Sequence, residues 1–367
     1  MLTGDYCCRH ERPFRTLHAS PLHTSATWNQ AVDFEAAREA AVRQGRRVTL
    51  GIENMPGYLA TQVVDESHRE VLGPLLPGSG ASGVVVHRGW VIAQWGDPSV
   101  QEMGFSATRA SCPWSPESRS TRGCWTCGPR LRRRSTFRCS RPHRAGGSPG
   151  RTCCSRCAWD GELWGKPTRV DAQSRPDGTD AGGGSPGSGS AYNDVRVNLL
   201  CLALTATLRQ PLPVVLGERI LGPLVASSWS WHGYANAVAD IDGDQVPVVS
   251  GGAHWGGGLW MSANDLALLG KLYLCRGRWD GRSLLSEEWI QRSWEPCQVM
   301  ADYGNLWWLN DARRISRPRQ QADAAPRNGG RHLVWVDPDR DLVIASHRGD
   351  QVEKLLTEAS AAVPATT

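Results

Sequence analysis

Between Arg109 and Cys157 the chain carries 12 arginines, no lysine and one acid, Glu117, and this block restricts the possible folds more than any other stretch. The same window holds seven of the 12 cysteines: Cys112, Cys124, Cys127, Cys139, Cys153, Cys154 and Cys157. Its net charge is +11, so the rest of a chain that totals +5 is net −6. From Ala110 to Cys157 the one large aliphatic side chain is Leu131, with no Val, Ile or Met. Such a segment can fill neither a core nor the apolar face of a helix. Burying its guanidinium groups unpaired would cost on the order of several kcal/mol each. The core must come from the residues on either side.

Those residues are suited to it. A chain of 367 residues with 40% hydrophobic and 21% charged side chains is large enough for one broad core or two interlocked subdomains. Ala31, Val32, Phe34, Ala37, Ala41 and Val42 recur near helical spacing and predict a surface helix within 29–47. Two β-rich runs within 83–96 flank His87-Arg88-Gly89 as in a hairpin. A buried helix is expected over Val195–Leu208, and an amphipathic one over 262–275 with Ser262 as N-cap and Asp265 at N3. His332–Val336 and Leu342–Ser346 flank Asp337-Pro338-Asp339-Arg340 as strand, turn and strand, and Val352–Ala362 closes as a helix. Strands early and late with helices between predict an α+β fold whose terminal portions share one antiparallel sheet.

No apolar run reaches the roughly 18 residues of a membrane span. The first 27 residues lack the apolar stretch of a secretory signal and show no helix or strand period. The reading is a disordered lead over 1–27, one domain over 28–362 and a tail over 363–367, in a cytoplasmic protein with no membrane partner.

The chemistry is suggested by Ser106-Ala107-Thr108-Arg109 after the apolar Met103-Gly104-Phe105. A serine at a helix start, with a basic residue one turn later on the same face, is the Ser-x-x-Lys form of an acyl-transfer nucleophile. Further along come Ser190-Ala191-Tyr192-Asn193 before a helix and a Gly-rich stretch, Val248–Trp260, before another. Asn328-Gly329-Gly330-Arg331 precedes the last pair of strands. In this order the segments resemble the serine β-lactamase, penicillin-binding-protein and esterase superfamily, in particular its class C-like members and the 6-aminohexanoate-dimer hydrolases. The resemblance covers about residues 80–110 and 158–362.

That resemblance implies a β-lactamase/DD-peptidase-like fold, an antiparallel sheet flanked by helices plus a mainly helical subdomain. It implies hydrolysis of an amide or ester through an acyl-enzyme on Ser106, with no cofactor or metal. Tyr192 would shuttle a proton to the leaving group, and Asn193 would orient the substrate amide. In the family this Asn often stands one place later, where this chain has Asp194. Asn328, Gly329 and Gly330 occupy the place of the family's Lys-Thr-Gly or His-x-Gly. The backbone N–H groups of Ser106 and Arg331 would form the oxyanion hole. Arg109 departs from the pattern. A guanidinium is not deprotonated in proteins, so it can hold the serine turn but cannot take the proton that the family's lysine takes. As written, the site lacks its base.

Three readings compete for the Cys/Arg block. Cys124-x-x-Cys127 and Cys154-x-x-Cys157 have the spacing of zinc knuckles, and the arginines would suit nucleic acid. A disulfide-rich insert is disfavoured without a secretion signal. The third reading is out-of-frame translation. Ser106 and Tyr192 are 86 residues apart, about the family's own separation, so the block replaces sequence and does not add to it. With a suitable choice of third bases, one frame offset turns its beginning and its end into segments similar to the family's. This third reading is preferred over zinc and nucleic acid.

Further alternatives stand. The chain could be a catalytically inactive binding protein that keeps the fold, as Arg109 and Asn328 suggest. Trp255, Trp260, Trp307, Trp308 and Trp335 could line an apolar cleft, although such residues more often pack a core. His254 and His332 are alternative bases.

Overall fold

The computed structural model describes residues 15–16, 32–45, 80–104, 107, 162–163, 166–167, 194–232, 237–248, 258–297, 301–310, 332–349 and 352–365. The Cys/Arg block lies outside them.

A five-stranded sheet joins the two ends of the chain. It comprises β1 (Arg15–Thr16), β2 (Ser82–His87), β3 (Trp90–Trp95), β13 (Leu333–Asp337) and β14 (Leu342–His347), in the order β1-β3-β2-β14-β13. All neighbours are antiparallel except β1 and β3, where Arg15 and Thr16 run parallel to Trp90 and Val91. Strand β1 falls inside the segment expected to be a lead; two residues are too few to leave a period. The β2–β3 hairpin turns at Arg88 (φ 49°) and Gly89 (φ 77°), the two positive-φ positions that a tight hairpin turn needs. Between β13 and β14 a single 3₁₀ turn, Pro338–Arg340, ends at Asp341 with φ 47°.

Both faces of this sheet are covered, which explains why its strands read as apolar runs. On one face Val85, Ile92, Trp95, Leu333, Trp335 and Ile344 pack against α1 (Phe34–Gly45) and α6 (Val352–Ala362). On the other, Val84, Val86, Val334, Val336, Val343 and Ala345 pack against α4 (Ala263–Leu274), whose Leu266, Leu269 and Leu272 are buried. Ser262 caps α4 by accepting a hydrogen bond from the Asp265 amide at 3.1 Å, as the sequence predicts.

A second sheet, in the order β4-β10-β7, consists of β4 (Gln101–Met103), β7 (Trp229–His232) and β10 (Gly258–Ser262). Strand β10 runs straight into α4, which ties the two sheets together. A third cluster forms the helical part. Leu200, Cys201 and Leu204 of α2 (Asp194–Leu208) and Leu212 of α3 (Leu212–Leu216) pack with Ala239, Ile241 and Val248. Ala239 and Ile241 belong to the hairpin β8 (Val238–Ile241) and β9 (Asp244–Pro247). The observed architecture is the α+β arrangement expected, with helices on both sheet faces and a mainly helical portion beside them.

Candidate active site

The Ser106 segment is approached by β4. Its Met103 pairs with Trp260, and the next residue continues the ladder, Gly104 N–H donating to the Leu259 carbonyl at 2.8 Å. Ala107 N–H then donates to the Gly104 carbonyl at 2.9 Å. Ala107 is buried in the core with Leu216, Ile220 and Leu259. The chain is therefore fixed on either side of position 106. Ser106 itself, with Phe105, Thr108 and Arg109, lies outside the described residues.

The other predicted site residues have the same relation to the structure. Tyr192 and Asn193 lie outside the described residues, immediately before α2, which begins at Asp194. Asn328, Gly329, Gly330 and Arg331 also lie outside, and the chain enters the description at His332, next to β13. His254 and Trp255 fall outside too. Trp260, Trp307 and Trp335 are fully buried. They pack in the core, the commoner of the two roles weighed for them from sequence.

Polar side chains collect at the ends of β4, β13 and β14. Arg348, just past the end of β14, places Nε 2.8 Å from Glu102 Oε2 on β4. This pair is buried, with 4% and 0% of the two side chains exposed. The Arg348 backbone has φ 50°, uncommon for a residue with a Cβ. Its Nη2 is buried without a hydrogen-bond partner among the described residues. Beside it, His347 Nδ1 lies 3.2 Å from His332 Nδ1, so one ring donates and the other accepts. Complete burial pushes the His347 imidazole down to about 4, with the neighbouring Arg348 charge acting in the same sense and backbone groups of Met261 and Ser262 opposing. His347 is neutral at pH 7 and fully buried at the end of the large sheet.

A second polar row lies across β4 and β7. Ser230 donates to Gln101 Oε1 at 2.8 Å and contacts His232 Nε2 at 3.3 Å. His232 stands edge-on to Trp260 with ring centroids 6.0 Å apart, and burial lowers its pKa. Asp265 of α4 accepts from the amides of Ser227 and Ser228 at 3.1 and 2.6 Å, fixing the entry to β7.

Of the candidate catalytic groups named from sequence, only His332 is described, and it is buried and bonded to His347. Glu102, Arg348 and His347 were not singled out. Their partners are distant in sequence, 246 residues apart for Glu102 and Arg348. Strand periodicity marks such positions only as exceptions within apolar runs. Among the described residues no group of three or more His, Cys, Asp or Glu side chains could hold a metal ion. Cys124, Cys127, Cys154 and Cys157 lie outside them.

Comparison with known proteins agrees with the geometry. A family model described as Beta-lactamase matches residues 146–347. A penicillin-binding protein homologue from Caulobacter crescentus superposes with a TM-score of 0.54 at 15% identity, over 90% of this chain and 98% of that one. EstCE1, described as a hydrolase with promiscuous acyltransferase activity, gives 0.51 at 12% identity over 85% and 98%. A protein assigned as a 6-aminohexanoate-dimer hydrolase of Bacillus anthracis gives 0.51 at 14% identity over 77% of both chains. At these identities the likeness is one of fold. No match is found among curated proteins.

Proposed function

Because this chain belongs to the β-lactamase family, we propose that it is built as a serine hydrolase that passes an acyl group from an amide or ester to water through an ester on Ser106. The observation that carries this reading is the fixing of the chain on both sides of Ser106. The Gly104 amide is locked to Leu259, and Ala107 is buried in the core one residue beyond the serine. A nucleophile works when held in one geometry, because proximity and orientation supply much of the rate enhancement.

In this reading the substrate carbonyl receives the Ser106 oxygen while the amides of Ser106 and Arg331 stabilise the oxyanion. Tyr192 carries the proton to the leaving group. Asn193, Asn328, Gly329 and Gly330 orient the substrate, and Arg109 braces the serine turn without acting as base. Water then releases the acyl group. The partner is a small amide or ester, with no cofactor, nucleic acid or membrane, and the setting is the cytoplasm. Among the described residues no single helix is long and apolar enough to cross a membrane.

We further propose that residues 110–157 are read out of frame. Elements in keeping with the family fold stand on both sides, β4 before the block and α2 after it, whereas the block itself has no apolar period.

Labelling the purified protein with a fluorescent fluorophosphonate and a fluorescent penicillin tests the nucleophile. A label that maps to Ser106 and disappears in Ser106→Ala supports it. A label retained in Ser106→Ala refutes the assignment. Arg109 favours one other reading, a binding protein that keeps the fold without the chemistry. That reading predicts a chain that takes no label from either probe.

A further inference from the structure

We infer that the buried Glu102–Arg348 ion pair, continued by His347 and His332, is a positioning device that locks the strand leading to Ser106 to the strand that begins beside Arg331. The inference rests on the functional reading above for its catalytic consequence, although the coupling itself is a property of the fold.

Glu102 lies on β4, which leads through Gly104 to Ser106. Arg348 follows β14, the antiparallel neighbour of β13. One ion pair of 2.8 Å thus joins the small sheet to the large one. The link continues to the strand after Arg331 because His347, next to Arg348, bonds His332 at 3.2 Å. Alternation along β13 and β14 puts both rings on the face that carries Val334, Val343 and Ala345, toward α4 and β10.

Stability does not account for the pair. A fully buried ion pair loses roughly as much in desolvation as it gains in attraction, and well-packed apolar residues in its place are often as stable or more so. Here the balance is poorer than usual, since Arg348 Nη2 has no hydrogen-bond partner among the described residues and its backbone takes φ 50°. What a buried pair supplies that apolar contacts do not is direction. A carboxylate and a guanidinium meet in one orientation, so β4 cannot slide or tilt against β14 without breaking the contact. Glu102 and Arg348 would then set the distance between the nucleophile and the oxyanion donor without touching substrate.

The test uses the full-length protein and three variants: Glu102→Gln, Arg348→Lys, and the double Glu102→Gln/Arg348→Met, which leaves no unpaired charge and whose fold is checked by circular dichroism. Hydrogen exchange of peptides covering 103–107 and 332–336 reads the coupling directly. Faster exchange in both segments of each variant supports the inference; a change confined to the mutated residue's own strand overturns it. Hydrolysis of a p-nitrophenyl ester reads the catalytic consequence, with Lys at 109 and codons 110–157 restored to the alternative frame in every chain compared, the parent and Ser106→Ala included. With the Ser106 reading correct, kcat falls about tenfold or more while KM stays within about twofold. A folded double variant with the parent's kcat overturns the positioning role. Should Ser106→Ala hydrolyse the ester as well as the parent, the functional reading fails, and the exchange data alone decide whether the two strands are coupled.

Discussion

Gly270 of α4 stands directly against Val343 of β14: a Cβ at position 270 would lie 2.6 Å from Val343 Cγ1 and 2.9 Å from Val334 Cγ2. The glycine sits in the middle of a helix, where alanine would ordinarily be favoured by about 1 kcal/mol. Close approach of helix and sheet is the reason for its presence. Alanine gains that propensity but forces two core valines aside, an overpacking cost of about 1–3 kcal/mol. Gly270→Ala is therefore expected to lower stability in urea, and Gly270→Leu to lower it further. In the Gly270→Ala/Val343→Ala double variant the second change should cost less than Val343→Ala does alone, because the space is shared. Additive effects in this cycle would show that the helix does not bear on the sheet there.

Asp265 is the second element that holds α4 in place. Its carboxylate accepts from Ser227 and Ser228, and its own amide is capped by Ser262. Burial raises its pKa, while the hydrogen bonds from Ser228, Ser227 and Ser262 oppose that rise. Asp265→Ala leaves two amides of the β7 entry without acceptors and is expected to cost on the order of 2–4 kcal/mol. Ser262→Ala removes one cap and is expected to cost about 1 kcal/mol. Equal losses in the two variants would contradict this.

Acid should unfold the protein through its buried histidines. His87 and His347 are each pushed down to about 4, in both cases mainly by burial. A histidine with a depressed folded-state pKa contributes stability above its unfolded value near 6.5, and this is lost as the pH falls toward 4. Each group is worth about 3 kcal/mol over that interval, as an upper figure. Asp337 and Asp265 act in the opposite sense. Their pKa values are raised, so the folded state holds their protons more tightly and acid favours it through them. The histidine shifts are the larger, so stability in urea is expected to drop between pH 6.5 and 4. His87→Gln should flatten that slope; an unchanged slope would mean that His87 is not the titrating group.

How much of this was legible in the sequence depended on whether the cause was local. The hairpin at Arg88-Gly89, the Ser262 cap and the Pro338 turn were legible because turn and cap chemistry is carried by neighbouring residues. That strands from both ends of the chain share a sheet followed from the placing of apolar runs, whereas the pairing of β2 with β14 did not. The Glu102–Arg348 pair could not be read, because a glutamate and an arginine 246 residues apart carry no mark that they meet. The Trp residues were ambiguous for a different reason. A large aromatic side chain can serve in a cleft wall or in a packed core, the core being commoner, and the burial of Trp260, Trp307 and Trp335 puts these three in the core.

A guanidinium cannot serve as a general base at neutral pH, so the simplest repair of the site is Arg109→Lys. That repair alone is expected to fail. The lysine needs a lowered pKa to take a proton, and an apolar wall that positions and desolvates the ammonium group would supply it. Ala110 to Cys157 offers one large aliphatic residue for that wall. Ester hydrolysis by Arg109→Lys should therefore stay at the level of the parent. A chain that carries Lys at 109 and also has codons 110–157 restored to the alternative frame should hydrolyse the same ester with a rate that rises as the lysine loses its proton. Full activity from Arg109→Lys alone would show that the block, as translated, already supplies the missing surroundings.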